Sequence, residues 1–467
     1  MVQTRRQSKR TMPEKEPSAK RKRARASPKK VTKPVELGDV DHHSHGKVPG
    51  QLYLWGEGGF GQLGLGEDVM EKTRPYPLII GEGQKVLDVA AGGMHSVAVT
   101  EEGQVWSWGV NDEGALGRLT SGRAWEESGM SMDEAGDPTQ PGRVSLPRGI
   151  GRVLQVSAGD DHTLLLTDEG TVWGFGSFRN GSGIMGFSPG VEHQLTPVKV
   201  YHPASPAKRA VKVSSGSNHA AILLMDGTVM TWGDGEQGQL GRLGPRAFCG
   251  RRAMDRVNQM LTPQEIRISR GSLTQDKVVD VTCGNYSTFL ITKKGQVFAM
   301  GSNNYFQLGE SKSGSVLIFH PHKPKRLQHR NFQSVRAGPH HTLGLTDKGT
   351  MFSWGRSCYG RLGQSGVSVD GDEAVAVPER VSGLDADLVI GGMSAGSATS
   401  GCFSEENGEM WTWGAQECYL LAKGDQEDDE VLPNKVKETK KFCGQKVIRM
   451  VFGGQHGVCL AVDRMGG

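Results

Sequence analysis

Five histidines recur behind one short turn, Gly-x-x-His, at His95, His162, His219, His341 and His456. An imidazole titrates near neutral pH and is a natural catalytic group. Five copies at one place in a repeated pattern instead point to a turn-stabilising hydrogen bond. The residues that differ from copy to copy are the better candidates, among them Asp160, Asn218 and His340. A second concentration of chemistry lies in residues 242–270, with seven arginines, no lysine and only Asp255 and Glu265 against them. Guanidinium groups at that density suit bidentate pairing with carboxylates or phosphates. Other patterns are decoys. Gly56-x-Gly58-x-x-Gly61 fits a dinucleotide turn, but no helix follows and the turn recurs as a repeat element. Asp41-His42-His43-Ser44-His45 could ligate a metal, but sits in a segment expected to be flexible. The seven cysteines are scattered without a Cys-x-x-Cys pair, which argues for reduced thiols and against zinc or a disulfide framework. No metal or cofactor is expected.

The formal net charge of +4 divides sharply. Residues 1–34 carry 13 Lys and Arg against Glu14 and Glu16, while the remaining chain is net acidic. That density opposes collapse and leaves little to bury, so residues 1–49 read as a disordered basic tail and linker. No run approaches the length of apolar sequence that spans a bilayer, and no membrane partner is expected.

The elements that position these residues come from a repeat. A strand ending in aromatic-Gly is followed, five residues on, by Gly-x-Leu-Gly. The anchors are Gly56, Gly109, Gly176, Gly233, Gly301, Gly355 and Gly414, and they number seven. The Gly176 copy, completed by Gly183-Ile184-Met185-Gly186, and the Gly414 copy, completed by Tyr419-Leu420-Leu421-Ala422, are degenerate. A half-unit with an alternating apolar strand and another Gly follows each, opened by the Gly-x-x-His turn in five of the seven. Units this small must stack to hide their strands. Residues 50–467 are therefore expected to be all-β, a seven-bladed propeller whose closure leaves no open sheet edge. The third copy carries two extra residues in Ser177-Phe178-Arg179-Asn180-Gly181-Ser182-Gly183, enough to raise a small hairpin.

This pattern resembles the regulator of chromosome condensation family over roughly residues 50–467, most closely in Asn111–Arg118 and Gly235–Arg242. The resemblance implies a chromatin-associated exchange factor that promotes GDP release from a Ran-like small GTPase. That activity would support nucleocytoplasmic transport and assembly of the mitotic spindle and nuclear envelope, without covalent chemistry. In the family's Ran exchange factor a wedge like the third-copy insertion enters the G protein, which assigns Arg179, Asn180, Gly181 and Ser182 here. Asp160 and His340 match family residues used for the G protein. Asn218 and Gly59 stand where the family has Asp. The arginine-rich insertion matches a loop that contacts the nucleosome's histone acidic patch, with Arg246, Arg251 and Arg252 as its contacts.

Lys9-Arg10 and Lys20-Arg21-Lys22-Arg23 fit a bipartite signal for a nuclear import receptor, and so a nuclear, chromatin-bound location. Ser27-Pro28-Lys29-Lys30 is a proline-directed phosphorylation pattern at Ser27 and a basic turn suited to DNA. The family's methylated start is absent after Met1. A non-catalytic chromatin scaffold is the alternative, favoured by Asn218 and Gly59. A light-sensing propeller of the plant ultraviolet-B type needs Trp before the repeat His, where this chain has Met94, Asp161, Asn218, His340 and Gln455.

Overall fold

A computed structural model describes residues 48–120, 136–248, 253–268, 276–310, 316–371 and 373–464. The tail residues Lys9, Arg10, Lys20, Arg21, Lys22, Arg23 and Ser27, and Arg251 and Arg252 of the insertion, lie outside the described residues.

Seven antiparallel sheets of four strands form the blades of a propeller. In blade two the strands run from the axis outward as Val86–Ala91, His95–Thr100, Val105–Gly109 and Gly142–Arg143. The second strand of every blade is buried over its first six residues, because neighbouring blades cover both of its faces. The innermost strands bulge at the same place, for example between Val86 and Asp88 and between Ala210 and Lys212. One extra residue there tightens the local twist.

The blades are out of phase with the repeat as read along the chain. Each blade joins a histidine half to the aromatic-Gly half that follows it. The first aromatic-Gly strand, Gln51–Glu57, therefore pairs with the last histidine strand, His456–Asp463, with Leu54 opposite Val458. Blade one is built from both ends of the propeller and closes the ring.

Adjacent blades are joined by a recurring hydrogen-bond chain. His95 Nε2 meets Thr163 Oγ1 at 2.9 Å, His219 meets Thr288 at 2.9 Å, and His341 meets Ser400 at 2.8 Å. Each hydroxyl passes its single proton to a carbonyl in the preceding blade's Gly-x-Leu-Gly segment or just before it, at Ala115, Gln239 and Arg361. The imidazole Nε2 must then carry the hydrogen it donates. Burial pulls His95 down to about 4 and His219 and His456 to about 3, so the rings are neutral at pH 7. Trp413 and Trp354 send their indole N–H to the same carbonyl positions, at Arg361 and Gln307. The last Gly of the turn is the floor for this ring: a Cβ on Gly363 would lie 2.7 Å from Trp413 Nε1. Where a turn Gly is replaced, Phe306 and Ala422 keep its positive φ, at 61° and 55°. L-residues avoid that region, so these are the strained copies.

Nearer the axis, side chains serve the open edges of the innermost strands. Asp88 accepts from Val156 N–H, Gln155 from Val213 N–H and Ser394 from Phe452 N–H, each in the next blade. Arg449 returns the contact from blade one, donating to Val89 O and pairing with the fully buried Asp88 at 2.8 Å.

Blades five and seven carry Ser287 and Thr399 in place of the histidine, and among the five histidine joints one departs from the series. His162 in blade three faces Ala220, and neither of its nitrogens has a hydrogen-bond partner among the described residues. The Phe178 ring lies 4.4 Å away instead. Ala220→Ser restores a hydroxyl where Ser400 and Ser96 serve in other blades. It is expected to raise unfolding stability by about 1 kcal/mol, read as a higher denaturant midpoint at an unchanged slope.

Candidate functional site

The Gly-x-x-His turns and the aromatic-Gly loops open on one end of the propeller. They surround a cavity of about 860 Å³ at the mouth of the central channel, lined by Asp160, Asn218, Arg179 and Asn180. Above it stands a hairpin of strands Phe178–Asn180 and Gly183–Gly186. The degenerate Gly183–Gly186 turn of blade three is therefore the hairpin's return strand. The two extra residues make room for it, with Gly181 and Ser182 at the exposed tip.

The hairpin is tethered at several points. Phe178 is fully buried and stacks on Phe187 at 5.8 Å, which plants the root in the blade three–four core. Arg179 N–H donates to Asn218 Oδ1 at 2.8 Å, and Asn218 Nδ2 reaches Asp160 Oδ2 at 3.4 Å. Asn180 donates to Glu236 Oε1 at 3.0 Å. The Arg179 guanidinium, about half exposed, lies 3.4 Å from Glu113 and 3.9 Å from Asp161. Three expected residues, Asp160, Asn218 and Arg179, thus form one hydrogen-bonded group. His340 lies apart on blade six, outside the cavity lining, edge-on to Tyr305 at 5.0 Å.

Asn218 has a clear chemical reading here. Its amide accepts from the hairpin with one end and donates to Asp160 with the other. A carboxylate at 218 would keep the first bond and set a like charge against Asp160. Gly59 is exposed in the loop after the aromatic-Gly strand of blade one without a positive φ, so an Asp would fit there.

Sequence reasoning missed Glu113, Glu236 and His193. At the turn position of Glu113 the other blades carry Phe60, Asn180, Gln237, Tyr305, Tyr359 and Cys418, so a lone carboxylate was the available signal.

The rim is acidic and its carboxyls are perturbed. Burial, with Asp160 beside it, pushes Asp161 up to about 6, and burial pushes Asp234 to about 6. Asp160 is raised by burial too, against a hydrogen bond from Ser217 and the charge of Arg179. Buried acids in a cleft cost stability and mark functional sites more often than chance.

The arginine-rich insertion follows the loop of blade four, and its described residues include a 3-10 turn, Pro245–Phe248, and an α-helix, Ala253–Leu261. Two of its arginines are structural. Arg242 donates to Thr231 O, Gln259 O and Gln264 Oε1, and Arg256 to Arg246 O. Arg246 and Arg267 are exposed. In blade two Arg118 makes the matching clasp to Ser107 O, Asp137 O and Gln140 O. Among the described residues no group of His, Cys, Asp or Glu could hold a metal ion, and no helix is long and apolar enough to cross a membrane.

A raised folded-state carboxyl destabilises above its folded value, and the penalty fades as pH falls towards the unfolded value near 4. Asp161→Asn is therefore expected to stabilise the protein at pH 7.5 by about 2 kcal/mol. The gain should vanish below about pH 4, as followed by denaturant unfolding across pH.

Comparison with known proteins bears on both the ring and the hairpin. The family model for the RCC1-like domain matches residues 51–459. The chain is 37% identical to the regulator of chromosome condensation of Mus musculus, over 91% of this chain and 94% of the relative. It is 30% identical to the guanine nucleotide exchange factor SRM1 of Saccharomyces cerevisiae, over 90% and 89%. The structure of Prp20p from Saccharomyces cerevisiae, a protein studied for its binding to Gsp1p and histones, superposes with a TM-score of 0.76 at 28% identity, over 92% and 95% of the two chains. The seven joined blades, and the match of the family model and these relatives along nearly the whole ring, place this chain in the RCC1-like family of propellers, among the regulators of chromosome condensation.

Proposed function

We propose that this protein is a chromatin-associated guanine-nucleotide exchange factor for a Ran-like GTPase. The observation that carries the reading is the blade-three hairpin, which presents Arg179 above an acidic channel mouth. Membership of a family with a named exchange factor supports it. A G protein with a basic surface would settle on the rim of Asp160, Asp161, Asp234 and Glu236. The hairpin would enter beside the nucleotide's phosphates and metal. Binding the nucleotide-free G protein more tightly than the loaded form requires, by reciprocity, that nucleotide bind the complex less tightly. GDP then leaves faster, and no covalent bond is made or broken. The direction of exchange is set by whichever nucleotide is in excess.

Chromatin would be held elsewhere. Arg246 lends only its carbonyl to the Arg256 clasp, and its exposed side chain suits an acidic histone surface. The basic tail suits DNA and, through Lys9-Arg10 and Lys20–Arg23, an import receptor. Prp20p, a relative, has been solved bound to Kap60. Asn218 and Gly59 favour the second reading, a chromatin scaffold without exchange.

Catalytic amounts of the protein are expected to accelerate release of labelled GDP from Ran, and a rate equal to the intrinsic one would sink the first reading. Asn218→Ala is expected to lower this activity about tenfold, since it removes the contacts with the Arg179 N–H and with Asp160. Arg246→Glu is expected to weaken nucleosome binding by about tenfold and leave GDP release unchanged. Deletion of Arg179–Ser182 should do the reverse.

A further inference from the structure

We propose that Glu113 is a positioning residue for the hairpin, a carboxylate from blade two that fixes the direction in which it points. The inference rests on the reading of that hairpin as the element that drives nucleotide release. Glu113 is buried; Oε1 accepts a hydrogen bond, and Oε2 makes a close contact that lacks hydrogen-bond geometry. Oε1 faces Arg179 Nη1, near the hairpin's entry, at 3.4 Å. Oε2 faces His193 Nδ1, in the segment leaving the hairpin, at 2.8 Å. His193 is itself buried, with 9% of its side chain exposed. One carboxylate therefore meets both the first leg of the hairpin and the segment that follows its return strand.

The other polar tethers come from one side. Asn218 and Glu236, which hold the backbone at Arg179 and the side chain of Asn180, both belong to blade four. Glu113 is the support from blade two. With it the hairpin is braced between two blades across blade three. Without it, Arg179 keeps Asp161, at the channel side, as its remaining carboxylate, and the guanidinium turns inward. Glu113 is buried while Arg179 is about half exposed, so the pair is only partly screened by solvent.

The test uses the full chain and two readouts, amide hydrogen–deuterium exchange of residues 178–186 and GDP release from Ran. Glu113→Ala is expected to speed hairpin amide exchange at least about fivefold. It should lower the maximal rate of GDP release about tenfold while the Michaelis constant for Ran–GDP changes less than about threefold. Glu113→Gln keeps the shape but only one acceptor oxygen and no charge, and should fall between. His193→Ala should loosen only residues 183–186. Unchanged hairpin exchange in Glu113→Ala overturns the proposal, as does a loosened hairpin with full activity. If Glu113→Ala does not fold, Glu113→Gln and His193→Ala carry the same comparison. A wild-type protein that releases no GDP defeats the functional reading alone, because hairpin exchange still reports whether Glu113 holds the hairpin.

Discussion

The joint between neighbouring blades is the interaction on which everything else depends. A sheet of four short strands cannot bury itself, and each propeller blade is covered only by its neighbours. The protein joins them with a neutral imidazole, a hydroxyl and a turn carbonyl, reinforced by an indole N–H at the same carbonyl position. All of these groups are buried, so each must be satisfied or costs several times what it contributes when paired. The joint therefore sets angle and spacing as well as adhesion. The latches of Asp88, Gln155 and Ser394 nearer the axis do the same for the backbone edges that a ring of separate sheets would otherwise leave open.

Against that regularity the hairpin is placed at a meaningful point. It springs from blade three, and its Phe178 rests on His162, the histidine whose hydroxyl partner is replaced by Ala220. The polar joint is given up where an aromatic root has to enter. Packing takes over the work of hydrogen bonding, and the hairpin's aim is set from outside by Glu113, Asn218 and Glu236. The acidic residues nearby share the cost: Asp161 and Asp234 hold perturbed carboxyls that a purely structural surface would not keep.

Much of the ring could be read in the sequence because its rules are local. Gly-x-Leu-Gly is needed where the chain turns at positive φ beneath a Trp ring, and Gly-x-x-His where an imidazole crosses to the next blade. Both leave fixed spacings. The phase of the blades could not be read, since pairing Gln51–Glu57 with His456–Asp463 is a property of the closed ring and not of any one unit. Asp160, Asn218 and Arg179 were legible through their resemblance to a known family, but their mutual hydrogen bonds were not. Residues from two blades meet there, and Glu113 adds a third, far apart in the chain. Glu113 and His193 were missed for that reason, as was the use of Arg242 and Arg256 as clasps, which composition counted with the other arginines.

Closure by both ends of the propeller has a consequence for synthesis. A ribosome delivers Gln51–Glu57 hundreds of residues before the strand that flanks it in blade one. Throughout that time one edge of the strand, and the flank of blade two, lack their final cover. Strand pairing over such separations is slow to form, and exposed edges invite association with other chains. The seam that makes the finished ring continuous is thus also the last part of it to be covered.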